Sequence, residues 1–349
     1  MSVLLFALLL LVATPVPAMA QTAPTDSNTQ PSTTPTNWTP WRPAPPTPQN
    51  DFAAATRYRN DELGLRYWYS SGEISYDVSK PKISRLDYKV DNAQSGEMYF
   101  RFTNPQERYL FKGTLGFGGE QNGNVRDFDY NADGSTGSDT DSKLGKGRLS
   151  YGNADLGVKL RALSGTSAST TLFGGLGYIQ DVMTARGSTC VQAGTPGAPN
   201  NFNLDCPSAG TVEVASNIKT LQNDAQWTSF RVGLENNFQP TQRLSWKNEV
   251  AFVPYASFWN GDSHYLRSDL GTSQPNIVDN GSGYGVQLES TLDYKVTSRW
   301  SLNLGGRFWE FWVPDSTTKV GNPIVLDEQK AYSWVYQRLG VFGGVTYHF

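Results

Sequence analysis

Only two histidines occur among the 349 residues, so the search for chemistry is short. His348 stands next to the last residue and reads as a polar residue at a strand end. His264 lies in Gly261-Asp262-Ser263-His264-Tyr265. In an extended chain Asp262 and His264 are i and i+2 and share one face. A carboxylate beside an imidazole orients the ring and raises its basicity, which is how a general base is prepared. A second such pair, Asp127 and Asp129, lies in Val125-Arg126-Asp127-Phe128-Asp129-Tyr130. Two carboxylates on one face repel, so one keeps its proton to higher pH, and together they can grip a water. Either pair alone also fits a solvated acidic loop. Asp129, Asn131, Asp133 and Gly134 match the first half of a calcium loop, but its twelfth position is Thr140, not a bidentate acid. No Cys/His cluster has zinc spacing, and no serine has an obvious base other than His264.

Something must hold these pairs, and the periodicity says what. In Tyr284–Val296, the residues Tyr284, Val286, Leu288, Leu292, Tyr294 and Val296 fall on one face. Gln287, Glu289, Thr291, Asp293 and Lys295 fall on the other. Phe230, Val232 and Leu234 alternate with Arg231 and Glu235; Leu156, Val158 and Leu160 alternate with Asp155, Lys159 and Arg161. Charges on the second face suit a wet or ion-paired lumen. Short turns are expected near 104–106, 164–168, 239–242 and 297–299. Long polar loops are expected near 121–145, 187–224, 260–281 and 314–330. This alternation of turn lengths predicts an all-β fold: an antiparallel transmembrane β-barrel of about ten strands with long extracellular loops. Several segments exceed the roughly 9–11 residues that cross a bilayer, so the surplus should project above it. The last strand ends on Val345, Tyr347 and Phe349, an aromatic-terminated alternation.

Composition agrees. Aromatics are 13%, glycines number 34 and charged residues are 17%, with a mean hydropathy of -0.46. A barrel that alternates lipid-facing and lumen-facing residues reads this way. The net charge of -3 carries no nucleic-acid footprint. Residues 1–20 read as a signal peptide cleaved after Ala20, although no Lys or Arg precedes the apolar run. Residues 21–55, rich in Pro and Thr, read as a disordered periplasmic arm. Residues 56–349 form the barrel. Cys190 and Cys206 lie in a Gly/Pro/Asn-rich stretch. In an oxidising periplasm they should be joined, which stabilises by roughly 3 kcal/mol on the chain-entropy model.

The two pairs together resemble the omptin family, ten-stranded outer-membrane endopeptidases. Omptins carry an Asp-x-Asp pair in the second external loop and an Asp-x-His pair followed by Tyr in the fourth. Asp127 and Asp129 match the first, and Asp262, His264 and Tyr265 match the second. Ser84–Ala93 is similar to the omptin second strand, and Gly177-Tyr178 and Thr184–Gly187 to parts of the fifth. The resemblance covers about residues 62–349. It implies a monomeric outer-membrane endopeptidase with its site outside the cell, a polypeptide substrate, lipid neighbours and no metal. Omptins grip basic side chains with two acids; here those places are Tyr76 and Asn260, with Glu73 and Asp77 as nearby substitutes. The family's arginine-containing lipopolysaccharide motif is broken in Tyr178–Val182, which leaves lipopolysaccharide a candidate cofactor without its motif, and calcium a weaker one. The alternative is a barrel of the same fold without proteolysis, an adhesin or a structural barrel.

Overall fold

The computed structural model describes residues 61–349 apart from 80–81, 132, 166, 193–205, 207, 268–269 and 322–325. The expected signal peptide and arm lie outside the described residues. Eleven strands follow one another: β1 Glu62–Val78, β2 Ser84–Thr103, β3 Tyr109–Tyr130, β4 Thr136–Leu144, β5 Gly147–Lys159, β6 Ala168–Cys190, β7 Val212–Phe238, β8 Leu244–His264, β9 Ile277–Lys295, β10 Trp300–Val320 and β11 Leu326–His348. Each pairs antiparallel with its neighbours, and β1 closes on β11, with Glu62 opposite His348 and Tyr69 opposite Val341. β4 and β5 both pair with β3 and β6, so they are one stave broken at Gly145-Lys146. The fold is therefore a closed all-β barrel of ten staves.

Alternation decides which side each residue takes. On β1, Leu63, Leu65, Tyr67 and Tyr69 are exposed while Trp68 and Ser70 are buried. The outward series continues around the barrel, with Phe117 68% and Leu304 65% exposed. So much apolar surface is a liability in water but matches a lipid environment. Aromatics edge this belt. Trp300, Tyr347 and Phe349 cluster at one end, and Tyr284 and Trp312 pack together at the other. The twelve steps along β10 from Trp300 to Trp312, at about 3.3 Å each and tilted about 40°, rise roughly 30 Å, the thickness of a bilayer's hydrocarbon core.

Inside the belt the lumen is crossed by ion pairs that line a small cavity. Arg307 donates to Glu97 at 2.6 Å and to Glu289 at 2.8 Å, and Arg66 donates to Glu289 at 2.8 Å. Lys112 reaches Glu235 at 2.8 Å, and Lys247 reaches Glu62 at 2.6 Å. Above these ion pairs lies an aromatic layer. Trp227 stacks on Tyr336 with centroids 4.5 Å apart, Phe258 lies 4.8 Å from Trp334, and Tyr76 stacks on Trp334 at 3.6 Å.

The short turns fall where the sequence places them. The long loops are shorter than expected. Strand takes up most of 121–145 and 314–330 and a little under half of 187–224 and 260–281, leaving connections at 131–135, 191–211, 265–276 and 321–325. Beyond the belt both faces of a stave are polar, so the apolar alternation fades while the backbone ladder continues.

Candidate active site

The sequence pairs meet at the long-strand end of the barrel, above the belt. Asp262 and His264 are the last inward-facing residues of β8. Asp262 lies across from Asn223 on β7 and Ile277 on β9. His264 ends the strand, and Asn276 fixes it there: the His264 N–H donates to Asn276 Oδ1 at 2.9 Å, and Asn276 Nδ2 donates to the His264 carbonyl at 3.1 Å. The fully buried Asp262 places Oδ2 3.4 Å from His264 Nε2. That is long for a hydrogen bond, as is common before a substrate tightens a site. The same oxygen accepts the Tyr76 hydroxyl at 2.7 Å, and Tyr88 donates to Oδ1 at 3.3 Å.

Asp127 and Asp129 sit near the tip of the β3–β4 hairpin, opposite Leu86 and Ser84 of β2. They share the face of Val125, which is buried in the lumen. Ser138 donates to Asp129 Oδ2 at 3.0 Å, whereas Asp127 Oδ1 is buried without a hydrogen-bond partner among the described residues. Asp127 is pushed up to about 8, first by burial and then by the charge of Asp129. Burial also raises Asp129. The His264 charge pulls both carboxyls back down, and Asp127 in turn helps raise His264. Two pairs from separate hairpins therefore share one electrostatic site. Burial works against a charged His264 ring, but Asp262 and Asp127 together outweigh it, so its value stands above the ordinary 6.5.

The calcium-like stretch folds as the hairpin turn. Asp133 Oδ1 accepts the Ser135 N–H and hydroxyl at 2.9 and 2.6 Å, and Gly134 takes the left-handed φ of +82° that such a turn requires. Among the described residues no three His, Cys, Asp or Glu side chains group as metal ligands. Cys190 and Cys206 are bonded, with Cα atoms 5.5 Å apart. Tyr265 points away from the mouth, where its hydroxyl accepts from Lys219 at 2.6 Å.

The expected substitutes for the missing acids do not enter the mouth. Glu73 is exposed on the outer face, and Asp77 pairs there with Lys82 and Arg85 at 3.0 and 3.3 Å. Period two turns them outward because Ile74 and Tyr76 turn inward. Asp279 supplies an acid that the sequence reading missed. It lies opposite Asn260, accepts from Asn260 at 3.0 Å and from Thr318 at 2.5 Å, and is pushed up to about 7 chiefly by burial. Carrying the odd-numbered lumen series of β9 upward from Gln287 would have found it. Asn276 left no such signal, since its role depends on a 12-residue return across a loop.

No protein-family profile matches the chain, and no curated protein sequence matches it. Solved structures do. The outer membrane protease OmpT from Escherichia coli is similar over 83% of this chain and 97% of its own, with a TM-score of 0.67 at 15% identity. The outer membrane protein OprG from Pseudomonas aeruginosa aligns over 84% of this chain and 97% of its own, at 11% identity and a TM-score of 0.32. The attachment invasion locus protein Ail of Yersinia pestis aligns over 83% and 99%, at 8% and 0.27. The first likeness is one of fold, and the other two are too loose to carry an argument. The fold is that of the outer-membrane β-barrels.

Proposed function

We propose that this chain is an omptin-like outer-membrane endopeptidase with its site facing the cell exterior. One observation carries the reading. Two i, i+2 pairs, distant in sequence, converge on one mouth and shift each other's protonation, and a buried oxygen of Asp127 there has no hydrogen-bond partner among the described residues. In this reading Asp262 orients His264. His264 accepts a proton from a water gripped by Asp127 and Asp129, and the water oxygen attacks the peptide carbonyl carbon. The imidazolium then gives that proton to the departing amine, which leaves two peptides and no acyl-enzyme. The Asp127/Asp129 pair shares one proton near neutral pH, so its protonated member can donate to the developing oxyanion. The short turns at the opposite end, the usual periplasmic side, support an outward-facing mouth.

The test is a diverse peptide library incubated with wild type and His264→Ala in detergent containing lipopolysaccharide. Wild type should cleave and the variant should not. Equal patterns from the two, or cleavage by neither, favour a barrel of the same fold without proteolysis. That second reading draws on Tyr76 and Asn260, which stand where the family resemblance expects acids.

A further inference from the structure

We propose that Tyr76 is a positioning residue of the dyad, whose hydroxyl holds the Asp262 oxygen that faces His264 and sets how strongly that carboxylate pulls on the imidazole. The inference rests on the reading of Asp262 and His264 as a base dyad, but its test does not require proteolysis. Tyr76 Oη lies 2.7 Å from Asp262 Oδ2, the oxygen that His264 Nε2 approaches at 3.4 Å. The better-placed donor on that oxygen is therefore the phenol, not the imidazole. Tyr88 sits mainly on the other oxygen, at 3.3 Å, and is the weaker donor by distance.

Packing explains the ring but not the hydroxyl. The Tyr76 ring stacks on Trp334 with planes 12° apart, and phenylalanine would fill the same slot. A buried hydroxyl costs free energy unless it is bonded, so its presence beneath Asp262 calls for the bond it makes. Burial, and then the charge of Asp262, push the phenol well above its ordinary 10, so it remains a neutral donor at any working pH. A donor on a carboxylate draws off part of its negative charge. The pull on the imidazole weakens, and more of the ring stays neutral and able to accept a proton.

His264 is also faced by Asp127 and Asp129 from β3 and by Arg267 from the loop after β8, whereas Tyr88 from β2 and Asp279 from β9 face Asp262. Of these, Asp127 adds to the pull of Asp262 and Arg267 opposes it. Tyr76 differs in acting through Asp262. The place that the family resemblance gives to a substrate-gripping acid has here been turned inward, onto the dyad.

The experiment reads the imidazole directly. The chain has two histidines, so a His348→Gln background leaves one ring to follow by NMR in detergent micelles. Tyr76→Phe should raise the His264 titration midpoint by roughly half a unit, as expected when the loss of one bond to the carboxylate is partly felt by the ring. Tyr88→Phe should raise it less. Trp334→Phe, which keeps the hydroxyl, should leave it in place. An unshifted midpoint in Tyr76→Phe, or an equal shift in Trp334→Phe, overturns the proposal. If Tyr76→Phe fails to fold, difluorotyrosine at this position keeps the ring, strengthens the donated bond and should lower the midpoint; a wild-type value there also overturns it. Where peptides are cleaved, Tyr76→Phe should move the acidic limb of the rate profile with KM nearly unchanged. A shifted midpoint in a protein that cleaves nothing would retire the peptidase reading alone, and cleavage with an unshifted midpoint would retire this inference alone.

Discussion

His264 is the mouth's one imidazole, and its neighbours set when it can work. Its value stands above 6.5, and Asp127 is pushed up to about 8. The neutral imidazole that accepts a proton grows as pH rises through the first value. The shared proton of the acid pair is lost as pH rises through the second. Peptide cleavage should therefore follow a bell, climbing from acid and falling beyond about pH 8; kcat/KM measured across that range on any cleaved peptide checks it, and a flat profile contradicts it. His264→Ala should abolish cleavage because no second base is at hand. Asp262→Asn should retain a residue, lower by roughly 10²–10⁴-fold, through a misoriented ring. The two pairs were legible in the sequence because i, i+2 spacing survives in any strand. The grip of Tyr76 on Asp262 was not, since it joins residues 186 positions apart. Asn276 was hidden for a similar reason: an asparagine in a polar connection gives no sign of which backbone groups it will clamp.

At the scale of elements, period two identified the staves, and the same rule carried upward would have placed Asp279 inside. Where the rule failed, as in the polar upper staves, the failure has a physical cause: an extended strand wet on both faces leaves no hydrophobic signature. The upper staves matter because they hold the acids. Asp127 is cross-strand from Thr140, and Thr140 from Cys190, so the disulfide lies in the same row as the acid pair. The Val191 N–H donates to the Asp139 carbonyl at 2.8 Å, while Arg126 grips the Asp139 carboxylate at 2.9 and 2.8 Å. The bond thus braces the hairpin that carries Asp127 and Asp129. Replacing Cys190 and Cys206 by serine together should leave the barrel folded but speed amide exchange over residues 126–141 and lower any peptidase rate several-fold. Finding both thiols open to alkylation in denatured, unreduced wild type would remove the premise.

The described barrel is an apolar belt outside and an ion-paired lumen inside, and the two make separate demands. Outside, lipid or detergent must cover residues such as Leu65, Phe117 and Leu304. Inside, Arg307 is held by Glu97 and Glu289, with its side chain almost fully buried. Pairing makes those charges tolerable. Arg307→Ala would leave Glu97 and Glu289 to share the single cation of Arg66, one buried charge uncompensated, a loss on the order of 3–5 kcal/mol. Arg85→Ala removes a half-buried cation that pairs with Asp77 and Asp87 on the outer face, and pairs within reach of solvent contribute about 0–1 kcal/mol. The native barrel should migrate as a compact band in detergent gels until heated. Arg307→Ala should lose that compact form at a clearly lower temperature, while Arg85→Ala should match wild type. Equal transition temperatures for all three would mean that the lumen charges are solvated rather than paired, and a chain purified as a stable monomer without detergent would overturn the belt itself.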